Sequence, residues 1–103
     1  MEYKTIQCET VEKGIMQLSL NRPDSYNAIT HLMMEELEDF WRQRLYDLDT
    51  VIVLMKGNGE KGFCAGLDMK ESMETAPKMS TEEFYRFQAR LARINLHMRR
   101  APQ

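Results

Sequence analysis

Apolar and polar residues alternate along Ile15 to Leu20, with Met16, Leu18 and Leu20 on one face and Gln17 and Ser19 on the other. That period of two predicts a half-buried strand. Tyr3 to Val11 is a second strand-like run, and Glu12-Lys13-Gly14 between the two predicts a hairpin. Asn21-Arg22-Pro23-Asp24-Ser25 ends the strand, because Pro23 has no N–H and biases Arg22 away from helix. From there the period changes. Ile29, Met33, Leu37, Trp41, Leu45 and Leu48 recur at helical spacing, and Leu32, Met34 and Phe40 widen the stripe, as suits a helix packed on a sheet. Thr30 is the predicted N-cap, with Glu35 and Glu36 near the positive end of the helix. Val51 to Met55 is an unbroken apolar run, the pattern of a strand buried on both faces. The order β-β-α-β predicts an α/β fold.

Beyond that strand, Lys56 to Glu71 reads K-G-N-G-E-K-G-F-C-A-G-L-D-M-K-E, punctuated by Gly57, Gly59, Gly62 and Gly66. Chemistry in α/β folds gathers where such strands end. Asp68 is placed to cap a helix beginning at Met69. The free N–H groups around Gly66, Leu67 and Asp68 would then lie at the positive end of that helix. Such an end suits a carbonyl oxygen that gains negative charge during reaction. Taken alone, the same glycines serve equally well as a tight strand-to-helix connection. Ser72 to Lys78 predicts a loop, after which Ser80-Thr81-Glu82-Glu83 forms a capping box opening a second long helix. Phe84, Phe87, Leu91, Ile94 and Met98 mark its apolar face, and Arg86, Arg90, Arg93 and Arg100 another side.

A length of 103 residues bounds the chain to one domain with a modest core. Its 14 Lys and Arg against 16 Asp and Glu leave a net charge of −2 with no basic block, which argues against nucleic acid or an anionic membrane as partner. No apolar run reaches bilayer length. Cys8 and Cys64 match no metal spacing and read as two reduced thiols of a cytoplasmic protein. A nucleophilic Cys64 with His31 or His97 as base lacks any local motif. Glu71 and Glu74, three residues apart on a helix, read as a carboxylate pair, but a solvated face explains them as well. The arginines of the last helix could meet phosphates, but a surface helix ordinarily carries such residues. Nine methionines fill gaps in a core by default, although Met69 and Met73 lie beside the glycine loop, where an acyl pocket would be.

Two stretches carry a resemblance. Phe63-Cys64-Ala65-Gly66-Leu67-Asp68, after an apolar strand and a Gly-rich turn, resembles the motif of the enoyl-CoA hydratase/isomerase (crotonase) superfamily. Asn21-Arg22-Pro23 with Asn27-Ala28 resembles the same family's N-R-P-x-x-x-N-A element, and the likeness runs from about Ile15 to Pro102. It implies an α/β, crotonase-like fold of repeated β-β-α units, of which residues 1–103 would be the N-terminal part. It implies a coenzyme A thioester as substrate, with no tightly bound cofactor and no metal. The backbone N–H of Leu67 would be one donor of an oxyanion hole stabilising a thioester enolate. Tyr26, Asn27, Ala28, Ala65 and Gly66 would surround the coenzyme A. The family's second oxyanion donor and its acid/base carboxylates have no counterpart here. The resemblance therefore implies little turnover by these residues alone, and homotrimers or dimers of trimers for the full-length protein. A thioester hydrolase of the same fold, and a non-catalytic binding or assembly module using the two amphipathic helices, are the alternatives.

Overall fold

The computed structural model describes residues 2–103. In chain order it contains β1 (Ile6–Glu12), β2 (Ile15–Leu20), α1 (His31–Arg44), β3 (Ile52–Gly57), α2 (Met69–Thr75) and α3 (Thr81–Arg100). Short 3-10 turns occupy Pro23–Ser25 and Ala76–Lys78. The strands form one sheet in the order β1-β2-β3, the first pair antiparallel and the second parallel. The parallel step needs a crossover, and α1 supplies it.

The hairpin forms as expected, with Gly14 at φ +83° in its turn and a register shift between Thr10 and Glu12. Its first strand starts at Ile6 rather than Tyr3 because the lead-in N–H groups turn to α1, although the Thr5 carbonyl still accepts from Asn21 N–H at 2.8 Å. The backbone N–H groups of Lys4 and Thr5 donate to the Glu36 carboxylate at 2.6 and 2.8 Å, and the Thr5 hydroxyl donates to it as well. Tyr3 donates its hydroxyl to Asp39 at 2.6 Å, and burial with that bond pushes its pKa up. Glu36 is therefore no surface residue of the helix start: it is 2% exposed and anchors the chain entry.

The core lies between the sheet, α1 and α3. Leu18 and Leu20 of β2 meet Met33, Met34, Leu37, Phe40 and Trp41 of α1, with Ile6 and Ile94 completing the cluster. Phe40 and Trp41 pack edge to face with ring centroids 5.0 Å apart. Ser19 is buried despite its place on the polar side of the alternation, because β2 is the central strand and Ser19 pairs with Gln7 and Lys56.

Four expectations are corrected. α1 stops at Arg44, so Leu48 lies beyond it and is 87% exposed instead of continuing the stripe. The cause is local: the Asp47 carboxylate accepts from the Asp49 and Thr50 N–H groups, each at 3.0 Å, and from the Thr50 hydroxyl at 2.6 Å. This turn offers the backbone an alternative to helix. Leu32 is also exposed. β3 is not buried on both faces. Among the described residues it pairs only with β2, Val53 and Met55 pack against the core, and Val51, Ile52 and Leu54 are exposed. Finally, Ser72 to Lys78 is not a loop. α2 runs to Thr75, whose hydroxyl donates to the Glu71 carbonyl at 2.9 Å, and a 3-10 turn holding Pro77 carries the chain on.

The caps fall where the side chains predict. Thr30 accepts from Met33 N–H, and Ser80 from Glu83 N–H. α3 lies along α1, burying Ile94 and partly burying Phe87, Leu91 and Met98, while Phe84 at its start is exposed. Arg90 joins the two helices by donating to Glu38 at 2.9 Å. Burial pushes the Glu38 carboxyl up, but the Arg90 bond and the charges of Arg90, Arg42 and Arg93 outweigh that and hold it below the usual range.

Candidate functional site

The two motif stretches, distant in sequence, are joined by a single parallel bridge between Ile29 and Leu67. Ile29 donates its N–H to the Gly66 carbonyl at 2.7 Å and accepts from Asp68 N–H at 2.8 Å. Successive N–H groups of an extended segment point to opposite sides. With Asp68 N–H aimed at Ile29, the Leu67 N–H faces away from it, and among the described residues it meets no protein acceptor. Gly66 makes this possible with φ +93°. A Cβ there would meet nothing within 4 Å, so the requirement is for glycine's backbone freedom, not for space.

Asp68 caps α2, accepting from Glu71 N–H at 2.9 Å, and its other oxygen takes a bond from Arg22 at 3.0 Å. The Glu71 N–H and then the Arg22 guanidinium hold the Asp68 carboxyl below the usual range. The same Arg22 nitrogen donates to the Ala28 carbonyl at 2.7 Å, so one guanidinium ties both motifs together.

Tyr26, Asn27, Ala28, Ala65 and Gly66 are all gathered beside Leu67, but with different freedom. The Asn27 side chain is 1% exposed and committed to protein, accepting from Arg22 N–H at 2.8 Å and donating to the Asn58 and Gly62 carbonyls at 3.0 Å each. It is a clamp for the glycine loop. Gly57 lies so close that a Cβ would overlap the Phe63 carbonyl. Ala65 N–H donates to the Tyr26 carbonyl at 3.0 Å, whereas the carbonyls of Asn27 and Ala65 receive no donor among the described residues. The Tyr26 ring is exposed, with the Lys61 ammonium 5.1 Å from its centroid.

Leu67, Gly66, Cys64 and Phe63 form one wall of a cavity of about 410 Å³, closed by Trp41, Met34, Met55, Leu91, Ile94 and Met98. Among the described residues Asn95 is its only polar side chain apart from the thiol and the indole. Met69 and Met73 are exposed and not among its lining, so the methionines at the cavity are others. A larger cavity of about 560 Å³ lies between α1 and α3, lined by His31, Glu35, Glu38, Arg86, Arg90 and Arg93 among others, but it does not reach Leu67. Two of those arginines are engaged, Arg86 with Glu82 and Arg90 with Glu38.

The Cys64 thiol accepts from Gly66 N–H at 3.4 Å and, among the described residues, has no histidine partner. His31 instead stacks at 5.1 Å from Phe87 and lies 3.8 Å from Glu71. Among the described residues no three His, Cys, Asp or Glu side chains are grouped to hold a metal, and no helix is long and apolar enough to cross a membrane. Glu71, which on sequence alone reads equally well as part of a solvated face, is engaged with protein. Its carboxylate accepts from His31 N–H, the first of α1, at 2.7 Å, a contact between residues forty apart that no local pattern announces.

The sequence model for the family described as Enoyl-CoA hydratase/isomerase matches residues 15–103. The chain is 38% identical over 81 residues to 1,2-epoxyphenylacetyl-CoA isomerase of Escherichia coli, covering 73% of this chain and 30% of that protein. It is 37% identical over 71 residues to a mitochondrial 3-hydroxyisobutyryl-CoA hydrolase of Danio rerio, covering 67% of this chain and 19% of the relative. Among solved structures, it matches an enoyl-CoA hydratase from Streptomyces coelicolor described as putative, with a TM-score of 0.89 at 25% identity, over 98% of this chain and 36% of that one. A Bacillus anthracis enoyl-CoA hydratase gives 0.85 at 27% identity, over 97% and 37%. The chain thus spans less than a third of the length of these curated relatives.

Proposed function

The chain belongs to the enoyl-CoA hydratase/isomerase family and has the crotonase fold, and from that premise we propose that it supplies the thioester-binding part of an acyl-CoA enzyme of hydratase or isomerase type. The observation that carries this reading is the Leu67 amide, which meets no protein acceptor among the described residues and belongs to a residue lining an apolar cavity. In the proposed mechanism that N–H donates to the thioester carbonyl oxygen. As a proton leaves the α-carbon, or water adds to the β-carbon, the oxygen becomes an enolate oxyanion and the bond strengthens. One such donor is worth about 10²–10³-fold in rate. A second donor and the carboxylates that move protons must come from other residues, since among the described residues no carboxylate lines this cavity.

The free carbonyls of Asn27 and Ala65 are acceptors available to the coenzyme's amino and amide groups. A polarised thioester carbonyl is also what hydrolysis requires, so the reaction named for the Danio rerio relative is the alternative within the same site. Binding is tested by thermal unfolding with butanoyl-CoA, a saturated thioester that cannot be hydrated. At a hundredfold excess over Kd, protection of about 2.7 kcal/mol is expected. An unchanged Tm at millimolar ligand would remove the reading.

A further inference from the structure

We propose that Glu71 is a positioning residue that aims the Leu67 amide, an inference that rests on the reading of Leu67 as thioester donor. α2 buries none of its side chains. Its place is therefore set by hydrogen bonds at its start rather than by packing. Those bonds converge on two carboxylates. Asp68 accepts from Glu71 N–H at 2.9 Å and from Arg22 at 3.0 Å, and Arg22 holds the Ala28 carbonyl at 2.7 Å. Glu71 extends the chain of bonds to α1 by accepting from His31 N–H at 2.7 Å.

The Ile29–Leu67 bridge lies inside this ring. Ala28 is pinned on one side of Ile29 and His31 on the other, while Asp68 and Glu71 follow Leu67. Thr30 caps only the Met33 N–H, so the His31 N–H is an unsatisfied helix-start donor that Glu71 completes. Without the Glu71 carboxylate, the α2 start hangs on Arg22 and two backbone bonds. The Gly66–Leu67 peptide, its carbonyl still held by Ile29 N–H at 2.7 Å, then tilts with the loosened start of α2. A displacement of about 1 Å at a reacting centre can cost about 10²-fold.

The test uses isotope-edited infrared spectroscopy of [1-13C]butanoyl-CoA bound to the full chain, where donation to the carbonyl lowers its stretching frequency. Wild type is expected to show the lowered frequency. Glu71→Ala is expected to return it towards the free value with butanoyl-CoA affinity kept within about threefold. Glu71→Gln, which retains an acceptor for His31 N–H, is expected to restore most of the shift. Glu74→Ala on the exposed side of α2 serves as control. Should Glu71→Ala not fold, Glu71→Asp decides, since the shorter carboxylate cannot span the same distance. No shift in wild type would overturn the Leu67 reading and this proposal with it. A wild-type shift that persists in Glu71→Ala or Glu71→Asp would overturn the positioning role alone, as would loss of butanoyl-CoA binding by a folded variant.

Discussion

At the scale of single residues, the Leu67 side chain and the Leu67 amide have different tasks. The donor is a backbone atom, so Leu67→Ala keeps it and is expected to lower turnover of a 2-enoyl-CoA by less than about tenfold in the full-length protein. Gly66→Ala has room for its methyl group but not the conformation. Holding alanine at φ +93° costs about 1–2 kcal/mol. Relief of that strain rotates the next peptide, so steady-state assays are expected to show a fall of about 10²-fold or more. Equal effects of the two substitutions would contradict the backbone role. Asp68 gives a pH dependence whose sign is fixed. Its folded pKa is depressed, first by Glu71 N–H and then by Arg22. The unfolded chain binds the proton more readily, so this stabilisation is fully present above the ordinary carboxyl pKa of about 4 and is lost as pH falls through the lower folded value. Thermal unfolding from pH 6 to pH 2 should show that loss, and Asp68→Asn should lack Asp68's share of it. Caps such as Thr30, Asp68 and Ser80 were legible in the sequence because cap and donor lie within one turn. Glu36 and Glu71 were not. Each is a carboxylate on a helix, and only the distant backbone it meets separates it from a solvated glutamate.

At the scale of elements, periodicity states which residues can share a face, not how far the element runs. The stripe predicted for α1 is correct from Met33 to Trp41 and fails at Leu48, where Asp47 turns the backbone. The two ends of the same stripe should respond differently to substitution. Leu37→Ala, in the core, is expected to cost about 2–5 kcal/mol. Leu48→Lys, on the exposed turn, should stay within about 0.5 kcal/mol. Urea titration of both variants checks the pair, and a large loss at Leu48 would show that the turn carries packing of its own. β3 teaches a related lesson. An unbroken apolar run describes what a strand is able to bury, whereas burial depends on a layer packed there, and only Val53 and Met55 of Ile52–Gly57 have one. α2 was foreseen at its cap but not at its end, since Ser72 to Lys78 has the composition of a loop and the Thr75 hydroxyl closes the last turn.

At the scale of the molecule, the β-β-α-β order and the meeting of the two motif stretches were legible, because each stretch carries its own turn chemistry and the family resemblance supplies their pairing. The bridge from Ile29 to Leu67 then does what neither stretch could do alone, by using up one side of the peptide and leaving the other open. What the sequence did not disclose is how unevenly the sheet is covered. Among the described residues β3 is an outer strand, with Leu54 and Ile52 exposed on it, Val51 exposed just before it, and Lys56 its single lysine. Unpaired ladders of this kind recruit other strands unless charge or proline blocks them. At rising protein concentration this chain should therefore scatter light and bind amyloid dyes before it unfolds, and Leu54→Lys should delay that onset. If turbidity begins at the same concentration in both, the nucleus of self-assembly lies elsewhere on the surface.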